Sequence, residues 1–120
     1  MKKTALIAVL AAVLLSTACA SSGDAPLDPV GSWGSDVPGE PNLVLEQDGK
    51  LSGTDGCNRL IGSWERTGDT LEFGPLGGTR MLCEGVDTWL ADAASATLGT
   101  DSLQIYNAAD QPIGTLDRDR

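Results

Sequence analysis

Two short stretches carry the side chains best able to do chemistry in this 120-residue chain: Gly56-Cys57-Asn58-Arg59 and Thr79-Arg80-Met81-Leu82-Cys83. A cysteine between glycine and asparagine describes a tight turn, because both neighbours tolerate left-handed backbone. Cys57 as a nucleophile would need a thiolate and a base beside it. The chain contains no histidine, which removes the commonest general base, the commonest metal ligand and the usual pH switch. A metal site is poorly provided for, since the aspartates lack calcium-loop spacing and two cysteines without histidine do not make a zinc set. The expectation is therefore no catalytic residue, no metal and no cofactor. In an oxidising compartment Cys57 and Cys83 are expected to pair.

Carboxylates offer a second chemistry. Glu65, Asp69 and Glu72 lie across one hairpin, and a carboxylate pair can hydrolyse glycosides. Strand alternation sends Glu72 to the solvent face, so a charged outer surface is the main reading and a small hydrolase the alternative from the enzyme class. Arg80 lies in an apolar run beside Cys83 and could hold a carboxylate, either a structural one such as Asp55 or one from a ligand. Asn58 divides the same way, with the turn role first. Trp33, Trp64 and Trp89 either fill a core that has one phenylalanine and one tyrosine, or line an apolar cleft suited to a lipid or peptide.

The N-terminus sets the compartment. Met1-Lys2-Lys3 is basic, Ala5 to Leu15 is almost purely apolar, and Leu15-Ser16-Thr17-Ala18-Cys19 follows. The apolar run is short for a membrane span and suits a signal peptide. Small residues before a cysteine resemble a lipobox, with cleavage between Ala18 and Cys19 and acylation of Cys19. Residues 1–18 are read as a lipoprotein signal peptide and 19–29 as the lipidated N-terminus with a flexible, proline-containing tether. A domain over 30–117 and a charged tail over 118–120 complete the organisation. The localisation expected is a membrane-anchored position on the extracytoplasmic face.

The formal net charge is −9; without Lys2 and Lys3, six basic residues face seventeen acidic ones, a net charge of −11. Such a chain repels phosphate backbones, so no nucleic-acid partner is expected.

Several elements must position these residues. Asn42 to Gln47 alternates as a strand, Asp48-Gly49 reads as a two-residue hairpin turn, and Lys50 to Thr54 returns. Leu60 to Arg66 places Leu60, Gly62 and Trp64 on one face. Thr70 to Phe73 turns Leu71 and Phe73 inward. Gly74 to Gly78 reads as irregular and Thr79 to Cys83 as a short strand. Val86, Trp89, Leu90 and Ala93 then recur at helical spacing, which predicts one amphipathic helix over 86–95. Further strands are expected from Thr97, over 102–107 and over 112–116. The frequent turns between short strands indicate an antiparallel meander.

With these residues in place the chain resembles the META domain family, whose bacterial members include HslJ-like proteins. Gly31-Ser32-Trp33 looks like the opening Gly-x-Trp, and Gly56-Cys57-Asn58 with Gly62 and Trp64 like the central turn and strand. Thr79-Arg80-Met81-x-Cys83 is similar to the family's Thr-Arg-Met-x-Cys signature. The resemblance implies an α+β, β-rich fold: a curved antiparallel half-barrel of about seven or eight short strands, one helix packed against it, and a Cys57–Cys83 disulfide. It further implies an envelope protein linked to stress response, virulence or motility without an established catalytic activity. The leading expectation is a lipid-anchored, non-enzymatic binding or scaffolding module for an envelope protein. A carrier of a lipid or other apolar ligand near the tryptophans is the alternative within binding.

Overall fold

Alternation of apolar and polar side chains dominates the observed architecture. The computed structural model describes residues 27–119; the expected signal peptide, the expected cleavage site at Ala18 and Cys19, and most of the expected tether lie outside the described residues. Among the described residues nine strands form: β1 (Gly31–Gly34), β2 (Asn42–Leu45), β3 (Lys50–Thr54), β4 (Arg59–Thr67), β5 (Thr70–Phe73), β6 (Gly77–Gly78), β7 (Ser95–Leu98), β8 (Ser102–Tyr106) and β9 (Pro112–Asp117). Neighbours pair antiparallel in the order β1-β2-β3-β4-β5-β7-β8-β9, and β6 pairs with β4. Leu43, Leu45, Leu51, Leu71, Leu103 and Ile105 all turn inward with at most 1% exposure. Burial of each such side chain stabilises the fold by about 1.5–3 kcal/mol.

The sheet curls almost into a closed barrel. Trp33 of β1 forms an isolated antiparallel bridge with Arg118, and the Asp119 N–H donates to the Ser32 carbonyl at 2.9 Å. The Arg118 guanidinium stacks 4.0 Å from the centroid of the fully buried Trp33 ring. It also donates to the carbonyls of Val30 (3.4 Å) and Asp28. Arg118 and Asp119 therefore belong to the closure of the barrel and not to a solvated tail. Residues 27–29, assigned by sequence to the tether, dock as well. Leu27 packs against the core, the Trp33 indole donates to the Pro29 carbonyl at 2.9 Å, and Arg66 Nη1 donates to the Leu27 carbonyl at 2.7 Å.

The expected helix over 86–95 does not form. Its residues give a single 3-10 turn, Trp89–Asp92, and Ala93 is already extended (φ −63°, ψ 132°). Leu90 and Ala93 are buried as the helical stripe requires, so the inward residues are right and the secondary structure is not. The sheet takes the end of the segment: Ala94 donates to Tyr106 at 2.8 Å and accepts from Phe73 at 3.0 Å, and β7 starts at Ser95. Ten residues make a marginal helix, because few hydrogen bonds repay the ordering of the first turn.

Two other expectations change. Gly77–Gly78, read as irregular, is a short strand against Leu60 and Ile61. A Cβ on Gly78 (φ 154°) would lie 1.7 Å from the Arg59 carbonyl oxygen, so this close approach admits only glycine. Thr79–Cys83, read as a strand, lies outside the ladder. At the first hairpin only Gly49 takes positive φ (92°); Asp48 instead accepts the Lys50 N–H at 3.0 Å, and the loop covers residues 46–49.

Candidate functional site

The turn at Asp55–Asn58 is built on a carboxylate. Asp55 Oδ1 accepts the N–H groups of Cys57 (2.8 Å) and Asn58 (2.6 Å), which fixes the backbone as an Asx turn. Thr54 Oγ1 accepts the Gly56 N–H at 3.0 Å and donates to the Asn58 carbonyl at 2.9 Å. Asp55 and Asn58 are buried, at 2% and 9% exposure, so the turn is internal to the fold.

From this turn two devices hold the Thr79–Cys83 segment. The first is the Cys57–Cys83 disulfide, with Cα atoms 5.9 Å apart. The second is the Asn58 amide. Its Nδ2 donates to the Met81 carbonyl at 3.0 Å, and its Oδ1 accepts the Met81 N–H and the Thr79 hydroxyl, the latter at 2.9 Å. Thr79 Oγ1 in turn accepts the Arg59 N–H at 3.1 Å. A side chain thus supplies the donor and acceptor that a neighbouring strand would have supplied, and Met81 needs no place in the ladder.

The consequence is a fixed ridge with apolar side chains in solvent. Leu82 is 96% exposed and Met81 60% exposed, although Met81 is clamped and Cys83 is covalently tied. A leucine that exposed on an immobilised backbone suits contact with another molecule. An open groove of about 530 Å³ runs along one side of the ridge, where Asp55, Leu60, Leu76, Arg80, Met81 and Asp92 contribute to its walls. A second, of about 560 Å³, is lined in part by Thr54, Cys57, Arg59 and Met81.

Sequence reasoning placed Cys57, Asn58 and Cys83 together, and the structure brings them together. Arg80 is a correction. It is exposed on the ridge and forms no ion pair with Asp55, whose Oδ1 is engaged by the turn; among the described residues the ion pair present is Lys50–Asp48 at 3.8 Å. The tryptophans do not share a cleft. Trp33 is sealed in the core beneath Arg118, the Trp89 ring covers Gly114, and the Trp64 indole donates to the Glu46 carbonyl at 3.0 Å. Trp64 lines a separate small groove with Asp28, Pro29 and Arg66. Glu65 and Glu72 face each other across β4 and β5 with both residues exposed, and neither lines the grooves at the ridge. Leu82 and Asp55 as site residues were not read from the sequence. Asp-Gly-Cys-Asn is a recognisable turn signal for Asp55, whereas nothing local marks Leu82 as exposed.

The META domain family model matches residues 27–119, the same span that forms the barrel. The chain belongs to the META domain family. No curated protein matches the chain. Among solved structures, the NMR structure of a protein from Burkholderia xenovorans is similar at 21% identity and a TM-score of 0.55, covering 89% of this chain and 99% of that one. At that identity the likeness speaks for the fold, and it places this META domain on a β-rich, nearly closed antiparallel barrel.

Proposed function

We propose that this META protein is a lipid-anchored lipoprotein of the cell envelope whose barrel is a non-enzymatic binding module, with the Thr79–Cys83 ridge as its contact surface. The observation that carries the reading is Leu82, 96% exposed between a clamped Met81 and a disulfide-bonded Cys83. Fixing a backbone before contact lowers the entropic cost of association, which favours binding through such a ridge. The anchor half rests on the basic start, the apolar run and the small residues before Cys19. The strap at residues 27–30 enters beside Arg66, towards the end of β4 remote from Arg59. A nine-residue strand spans about 30 Å, so the ridge would be held away from the anchored end. A role in envelope stress is an expectation of the same kind.

Two measurements test this reading. Labelled palmitate should enter the wild-type protein and not Cys19→Ser, which should also leave the membrane fraction. Envelope proteins that copurify with the wild type should be lost with Leu82→Asp while the melting temperature is retained. A partner set indifferent to Leu82→Asp would remove the ridge from the proposal.

A further inference from the structure

The groove beside the ridge contains a buried carboxylate that the fold does not fully use. Asp55 is 2% exposed, and its Oδ1 accepts both turn N–H groups, yet no described residue donates to Oδ2. A carboxylate oxygen withdrawn from bulk water without a donor is costly, so a donor from outside the fold is favoured there. Asp92 lines the same groove and takes no cation within ion-pair distance among the described residues. The cation that does line it, Arg80, is exposed, where solvent screens its charge. Leu60, Leu76 and Met81 supply the apolar part of the wall.

We propose that this groove receives a primary ammonium on an apolar stem, with the ammonium donating to Asp55 Oδ2 and the stem lying against Leu60, Leu76 and Met81. This rests on the reading of the ridge as a contact surface and names the chemistry of what it contacts. An anion would meet two carboxylates in this groove against the single, exposed guanidinium of Arg80. A divalent metal would need more oxygen ligands than the two carboxylates provide, and no group of three metal-binding side chains occurs among the described residues. The chain's net charge of −9 draws cations towards the site. A lysine side chain of a partner protein and a free alkylamine both carry the required group.

The test is an amide-shift titration of the full chain in detergent, read at Asn58 and Met81. The probes are butylammonium, butyltrimethylammonium, butanol, and acetyl-Leu-Lys-Leu-amide with its norleucine counterpart. Butylammonium and the lysine peptide should shift these amides saturably. Butanol, the norleucine peptide and butyltrimethylammonium, which has no N–H to donate, should not. Asp55→Asn keeps an oxygen for the turn and should weaken binding by about tenfold or more, the scale of a lost charge-assisted hydrogen bond. Tighter binding of the lysine peptide than of butylammonium assigns the site to a protein partner, and the reverse order assigns it to a small amine. The absence of a saturable shift, an equal response to the neutral probes or to butyltrimethylammonium, or full affinity in a folded Asp55→Asn protein would overturn the proposal. Loss of copurifying partners in Leu82→Asp alongside any of those results would leave the binding module standing without an ammonium site.

Discussion

The side-chain amide of Asn58 exchanges a pair of hydrogen bonds with the backbone of Met81, twenty-three residues away, as one strand does with another. The asparagine amide offers both a donor and an acceptor in one plane, at the reach this pairing needs. Asn58→Asp keeps the shape and the acceptor but loses the donor, leaving the Met81 carbonyl facing a carboxylate. It should cost about 2 kcal/mol, the price of one broken partly buried hydrogen bond plus a repulsion. Chemical denaturation should show a lower midpoint at unchanged slope, and hydrogen exchange should quicken at Met81.

Reduction of Cys57–Cys83 should lower stability by about 3.5 kcal/mol on the chain-entropy account, since the bond closes a long loop. For a domain of this size that is a fall in melting temperature of about 15 °C or more. Calorimetry with and without reductant checks it. Reduced protein with Asn58→Asp should lose less than the sum of the two effects, because both devices hold the same segment.

Trp89 and Gly114 are in close contact: a Cβ on Gly114 would fall 2.5 Å from the indole ring. Gly114→Ala should destabilise by about 1–3 kcal/mol through overpacking. Adding Trp89→Leu should recover part of that loss by removing the obstructing ring. Independent, additive costs in denaturant melts would argue against this contact.

Arg118→Gln should loosen the barrel at its seam. It removes the guanidinium from the Trp33 ring and weakens the hold on the Asp28 and Val30 carbonyls. The expected cost is about 1–2 kcal/mol, from a partly desolvated cation–π contact and the hydrogen bonds lost with it. Tryptophan fluorescence should report greater solvent access near Trp33.

Local pattern alone was enough to locate most of the strands. Leu43 and Leu45, Leu71 and Phe73, and Leu103 and Ile105 alternate with polar neighbours, and a two-residue period allows a strand with one inward face. The turn at Gly56-Cys57-Asn58 and the pairing of Cys57 with Cys83 were likewise legible from residue type and number. Tertiary structure decided what depends on a partner far along the chain. Leu90 and Ala93 must face inward in either a helix or a 3-10 turn, and the hydrogen bonds from Phe73 N–H to Ala94 and from Ala94 N–H to Tyr106 decide between them. Arg118 reads as part of a charged tail until β9 brings it over Trp33, and Arg80 reads as interior until Asn58 holds its neighbours out of the ladder. Periodicity records which face of an element is apolar. It does not record what covers that face, and contacts between residues 33 and 118 or 58 and 81 exist only once the sheet has curled to bring them together.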